Sequence, residues 1–247
     1  MIHYHGGPIT PLSVADTVWR GRHAFVSWEN PDQLPLAAAV CQSFALDNGA
    51  YSAWSSGKQL DVEGYAAWVR EWMRHPGFDW CVIPDVIDGT EEDNVKMIAQ
   101  WRELGMPFAV SVPVWHLHES LDRLRFMASA WPRVALGSSG QFATVGSPAW
   151  WGRMREAMDA VCDPSGRPMA RLHGLRMLDP AVFQHLPLAS ADSTNIARNH
   201  DRESHRYRLT NAQAALVMAG RIEAAQGAAC WDAGRFPEQF TLVPVAP

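Results

Sequence analysis

Eight short β-prone runs recur along the chain, and most are followed by a stretch of helical periodicity. The runs are Ile2–Gly6, His23–Trp28, Phe44–Gly49, Trp80–Asp85, Phe108–Trp115, Val134–Ser139, Arg171–Leu175 and Leu188–Thr194. Between them apolar residues fall at helical spacing: Trp68, Val69, Trp72 and Met73; Val95, Ile98 and Trp101; Leu121, Leu124, Ala128 and Trp131. Helix starts are marked by Thr90 before Glu91 and Glu92, by Ser147 and Asp179 each before a proline, and by a capping box of Thr210 with Gln213. Strands that alternate with helices build a parallel sheet. Eight of them in 247 residues predict an α/β fold in which the sheet closes as a single (β/α)₈ TIM barrel. The weakest repeat is the second, where Pro31 and Pro35 interrupt the stretch from Asn30 to Gln42. No linker or internal repeat divides the chain, so one domain over residues 1–247 is expected, with a loose tail from about Cys230 to Pro247.

Composition narrows the class. With 47% apolar and 19% charged residues the chain can bury a large core, which excludes wholesale disorder. No apolar run approaches the ~18 residues a membrane-spanning helix needs, and the start MIHYHGGPITP does not read as a signal peptide. Cys41, Cys81, Cys162 and Cys230 are scattered without a CxxC pair, which fits a reducing cytoplasm better than a disulfide scaffold or a zinc knuckle. A net charge of −5 argues against a broad nucleic-acid-binding surface but leaves room for a local basic patch.

A parallel barrel presents its reactive residues at the C-terminal ends of its strands. Those ends carry His3 and His5, Trp28, Asp47, Asp85, Trp115 and His116, Gly137 and Ser138, His173 and Gly174, and Asp192. Three carboxylates from three strands are thereby expected at one mouth. Burying one carboxylate without a partner costs several kcal/mol, so three together point to function.

Taken in order, four segments resemble the tRNA-guanine transglycosylase superfamily over roughly Phe44 to Arg206. Phe44-Ala-Leu-Asp47-Asn-Gly-Ala-Tyr51 is similar to that family's Asp-Ser-Gly-Gly-Phe signature, and Ile83-Pro-Asp85 falls where the family carries a substrate-reading aspartate. Val134-Ala-Leu-Gly137-Ser138 resembles its Gly-Gly loop. Leu172-His-Gly174-Leu, Asp179-Pro180, Ala191-Asp192-Ser193 and Ala197-Arg198-Asn199 resemble its final strand pair and nucleophile loop. The resemblance implies Asp192 as the nucleophile on C1′ and Asp47 as the acid/base of a retaining base exchange. It implies Asp85 as acceptor for the N1–H and exocyclic amine of a guanine-like base. Backbone N–H groups around Gly137 and Ser138 would meet its O6, Tyr51 would stack on it, Asn48 would sit beside it, and Gly174 would lie near its 7-substituent.

The chain departs from the family in lacking the cysteine-rich zinc subdomain and the glutamine of the fifth strand, where Val112-Pro113-Val114-Trp115 stands instead. It is also shorter, which resembles the compact phage-type branch that places 7-deazaguanines into DNA. The implied activity is exchange of guanine for a 7-deazaguanine in nucleic acid, with DNA favoured over tRNA and no cofactor or metal required. A duplex target would be flipped out, and Trp28 and Trp115 are candidates for stacking on it as well as for core packing. In Ile196–Arg208, the arginines Arg198, Arg202, Arg206 and Arg208 outnumber Asp201 and Glu203, so Arg198, Arg202 and Arg206 are expected to hold phosphates.

Two other readings compete. His3-Tyr-His5, with His116 or His118, His173 and Asp192, has the residue types of a barrel metal hydrolase of the amidohydrolase kind. A catalytically inactive nucleic-acid-binding barrel is the other.

Overall fold

The computed structural model describes residues 1–235. Nine strands lie in one all-parallel sheet: β1 (Ile2–Gly6), β2 (His23–Ser27), β3 (Ser43–Asp47), β4 (Phe78–Val82), β5 (Ser111–Val112), β6 (Val114–His116), β7 (Arg133–Gly137), β8 (Arg171–Gly174) and β9 (Ser190–Ser193). Their order is β5-β4-β3-β2-β1-β9-β8-β7-β6. The two ends of this sheet are halves of one run joined at Pro113, so the sheet curls into a nearly closed TIM barrel, as the alternation of elements predicts.

The fifth run differs from the expected strand Phe108–Trp115. It opens with a 3₁₀ turn at Phe108–Val110 and breaks at Pro113. Proline has no N–H to give to a ladder, but the Pro113 carbonyl still accepts from Ala135 N–H at 2.9 Å and Val112 carbonyl from Ile83 N–H at 2.8 Å. The prolines of the second repeat are accommodated where a missing N–H costs least. Pro31 opens a 3₁₀ turn, and Pro35 sits in the first turn of the helix Leu34–Val40.

Alternation along the strands divides the core in two. Tyr4, Phe25, Ala45, Trp80, Val82, Val112, Val114 and Ala135 fill the barrel interior. The opposite faces, including Val26, Phe44, Leu46, Trp115, Leu136 and Leu172, join the larger core beneath the helices. Capping boxes form at Thr90 with Asp93 and at Thr210 with Gln213, and Ser147 and Asp179 cap their helices as expected. Val95 departs from its stripe: it is 52% exposed, while Trp101 on the same helix is buried. The start of the expected tail is anchored. Trp231 is buried and donates from Nε1 to Asp159 Oδ1 at 2.6 Å, and the rest of that tail, 236–247, lies outside the described residues. No described helix is long and apolar enough to cross a membrane.

Candidate functional site

A cavity of about 480 Å³ opens at the C-terminal ends of the strands. Of the residues expected in a site, Asp47, Asn48, Tyr51, Asp85, Gly137, Ser138, Asp192 and Arg198 all line it. Its floor holds three carboxylates: Asp47 and Asp192 in the last residues of β3 and β9, and Asp85 in the loop just beyond β4.

Asp47 ends β3, and the chain turns at once through Gly49 at φ 76, a left-handed conformation that favours glycine, into the helix Ala50–Ser55. Burial, reinforced by the charges of Asp192 and Asp85, pushes the Asp47 carboxyl up to about 7; hydrogen bonds from Ser27 and the Gly49 N–H act against that rise. Asp47 is therefore poised to give or take a proton near neutrality.

Asn48 is buried and fully engaged. Its Oδ1 accepts from Ala50 N–H at 2.7 Å, while Nδ2 donates to Ile83 carbonyl at 2.8 Å and to Asp85 Oδ1 at 2.7 Å. It ties the end of β3 to the loop beyond β4 and positions Asp85 from within the cavity wall. The second Asp85 oxygen, Oδ2, lies 2.8 Å from His116 Nε2. Burial by itself would lower the His116 pKa, but the hydrogen bond and charge of Asp85, with Glu119 behind, carry it above its ordinary value.

Asp192 is held through one oxygen. Its Oδ1 is 3.3 Å from His173 Nε2 and accepts from Arg176 N–H at 3.0 Å. Burial keeps the His173 pKa low, so the ring is neutral near pH 7. With Nε2–H donating to Asp192, Nδ1 accepts from the Ser190 hydroxyl at 2.8 Å. Oδ2 of Asp192 has no hydrogen-bond partner among the described residues.

The packing adds contacts at several of the expected residues and leaves others out of the cavity. A Cβ on Gly137 would lie 2.9 Å from His116 Nδ1 and 3.0 Å from Val114 Cγ1, so its close approach is to the histidine. The Ser138 hydroxyl accepts from Trp150 Nε1 at 2.9 Å, which anchors the loop after β7. Gly174 is absent from the cavity wall: a Cβ there would meet Met177 Sδ at 2.8 Å and Leu188 Cδ1 at 2.9 Å, and Leu175 and Arg176 line the wall instead. Arg198 reaches the cavity, but Arg202 and Arg206 do not. They lie about 6 and 12 Å further along the helix Asn195–Tyr207, exposed, with Glu203 3.9 Å from each. Trp115 is fully buried on the outer face of its strand, and Trp28 packs on Tyr65 and Trp68, so neither lines the cavity.

His3 and His5 point away from the mouth. They flank Glu223 on the helix Asn211–Glu223, with His3 Nδ1 3.1 Å from Oε2 and His5 Nε2 2.8 Å from Oε1. His118 is taken by Ser139 Oγ at 2.9 Å and Gly89 carbonyl at 3.2 Å. The histidines of the metal-hydrolase reading are thus split between two sides of the sheet, and no group of three or more His, Cys, Asp or Glu is arranged to hold a metal among the described residues.

Sequence reasoning missed Arg176, which lines the cavity with φ 63 and sets its guanidinium 4.9 Å over the Tyr51 ring. Its place two residues beyond a strand end was the available signal. It also missed Ser27, and it weighed His116 only as a metal ligand.

No protein-family model matches the chain, and no curated protein does. Among solved structures, it is similar to one described as a fructose-1,6-biphosphate aldolase from Coccidioides immitis, at 14% identity and a TM-score of 0.51, covering 90% of this chain and 87% of that one. A mutant tryptophan synthase alpha-subunit from Pyrococcus furiosus follows at 10% identity and a TM-score of 0.49, covering 90% and 96%. The first likeness shows a shared barrel fold.

Proposed function

We propose that the chain is a base-exchange transglycosylase, replacing guanine by a 7-deazaguanine in nucleic acid, DNA in preference to tRNA, through an Asp192-bound sugar. One observation carries the reading: Asp192 is fixed by two donors on Oδ1 while Oδ2 is left without a partner beside two further carboxylates. A nucleophile must be oriented yet unsatisfied at its attacking atom.

In the proposed cycle Asp192 Oδ2 attacks C1′ as the bond from C1′ to the base breaks. The base leaves as a neutral molecule after Asp47 delivers a proton to its departing nitrogen. Asp85, held by Asn48 and His116, keeps a lone pair on each oxygen for the N–H groups of a guanine-like edge. The incoming base then gives its proton to Asp47, its nitrogen attacks C1′, and the Asp192 carboxylate is released. Two displacements retain the configuration of the sugar. Tyr51 walls the cavity beside the base, backed by the Arg176 guanidinium.

The test is incubation with labelled guanine or a 7-deazaguanine and either DNA or tRNA, followed by denaturing electrophoresis. Incorporation into polymer and a slow-migrating covalent adduct support the reading. Asp192→Asn should lose both, whereas Asp47→Asn should accumulate adduct slowly. An adduct that survives in Asp192→Asn and vanishes in Asp47→Asn reverses the two roles, and no incorporation into either polymer overturns the proposal.

A further inference from the structure

The cavity is acidic at its floor and basic at its rim. Asp47, Asp85 and Asp192 form the floor, whereas Arg176 and Arg198 are exposed at the mouth and have no carboxylate within ion-pair distance among the described residues. Arg176 adopts φ 63, a backbone conformation that is strained for a residue with a Cβ. There its N–H reaches Asp192 while its guanidinium covers Tyr51. The helix Ala50–Ser55 continues the rim outward with Trp54, which is 48% exposed and packs its ring against Tyr51, itself 45% exposed, at 5.7 Å. A tryptophan left half in water against the tyrosine that Arg176 covers is poorly explained by folding, because burying it would stabilise the chain.

We propose that this rim is the docking surface for an unpaired nucleic-acid strand, with the base next to the target stacked on Trp54 and the flanking phosphates held by Arg176 and Arg198. The proposal rests on the base-exchange reading for what enters the cavity, and it names the strand and the surface. Asp85 and Asp192 line the floor closely enough for their charges to act on Asp47, and that negative field repels phosphate. The uncharged base and the sugar that carries it can descend to Asp192, so the phosphates must stay at the rim. In a duplex the descending base gives up its pair and its stacking, whereas in a single strand there is no pair to break. An exposed indole offers any neighbouring base a stacking partner regardless of its identity, and the arginines supply charge without reading sequence.

The full chain tests this with a 5′-labelled single-stranded oligonucleotide containing one guanine and with its matched duplex, read by fluorescence anisotropy over a salt series. The single strand should bind at least about ten-fold tighter than the duplex. Trp54→Ala should weaken single-strand binding by about ten-fold or more, the loss of one stacked base, with an unchanged melting temperature, and Trp54→Phe should recover most of it. Arg176→Ala and Arg198→Ala should each lower the log–log salt slope by about 0.7. Equal affinity for duplex and single strand, or wild-type binding by Trp54→Ala, overturns the proposal. The two readings fail separately. Binding that depends on Trp54 without any incorporation of labelled base sinks base exchange alone, and incorporation with binding indifferent to Trp54 sinks the rim alone.

Discussion

His116 Nε2 lies 2.8 Å from Asp85 Oδ2, and with Asn48 on Oδ1 it leaves the Asp85 carboxylate no freedom to rotate. The contact joins the fifth barrel position, which the resemblance left without a polar residue, to the acceptor proposed to bind the base. His116 acts through Asp85 and is a positioning residue. His116→Ala should raise KM for the free base by about 10–10²-fold with a smaller change in kcat, the pattern of lost binding common to ground and transition states. His116→Gln, whose amide can donate to the same oxygen, should recover part of the affinity. Steady-state kinetics at several base concentrations check this, and a fall in kcat at constant KM would show that His116 serves the chemical step.

Gly137 and His116 should behave as one unit. Adding a methyl at Gly137 places it 2.9 Å from His116 Nδ1 and forces the imidazole to move. Gly137→Ala should cost about 1–3 kcal/mol of stability, as overpacking does, and should raise KM for the base as His116→Ala does. In a double-mutant cycle measured by chemical denaturation the pair should couple by about 0.5–3 kcal/mol, because removing the ring removes the clash. Additive effects would mean that the backbone around Gly137 itself is what matters.

The histidine pair on β1 makes a prediction about stability alone. Burial works to raise the Glu223 pKa, but hydrogen bonds from His3 and His5 hold that carboxyl well below its usual range. A folded-state pKa below the unfolded one contributes stability that is present above about pH 4.5 and lost as the pH falls below it. Glu223→Gln should remove that dependence and lower the melting temperature at pH 7. Glu223 is partly exposed, so solvent screening limits the loss to about 1 kcal/mol, or about 2–4 °C for a domain of this size. Base exchange should be unaffected, since the cluster faces the outer helices. A loss of exchange without a loss of stability would show that these histidines communicate with the mouth.

The carboxylates were legible in the sequence because each lies at or near the C-terminal end of a β-prone run, and a parallel barrel sends every strand end to one face. What surrounds them was not. Gly137 and Gly174 look alike as glycines at strand ends, yet one makes room for His116 and the other for Met177 and Leu188. Those neighbours lie on other strands and loops, beyond any local pattern. Arg202 and Arg206 share a charge run with Arg198, but helical rise carries them away from the mouth. Arg176 stands just beyond a strand end, which marks it for the mouth, but nothing in its neighbours announces the left-handed backbone that turns it over Tyr51. The division of His3 and His5 from His116 and His173 likewise depends on which face of each strand is inside, and a run as short as five residues does not settle that without its helices.

Asp47 sets the expected pH dependence of exchange. Burial and the charges of Asp192 and Asp85 place its carboxyl at about 7, so it is largely protonated below neutrality and ionised above it. As the proposed donor to the leaving base it must carry a proton, and the rate of adduct formation should fall as the pH rises through about 7. The Ser27 hydrogen bond favours the ionised form, so Ser27→Ala should raise the Asp47 pKa and move this alkaline limb to higher pH. Asp47→Asn should abolish the limb and reduce the rate by about 10²–10⁴-fold, the usual worth of a positioned proton donor. Single-turnover adduct formation between pH 5 and 9 measures all three proteins. A limb that persists in Asp47→Asn and is unmoved in Ser27→Ala would belong to another group. His116 is the first to examine, since its raised pKa also makes it a proton carrier that empties as the pH rises.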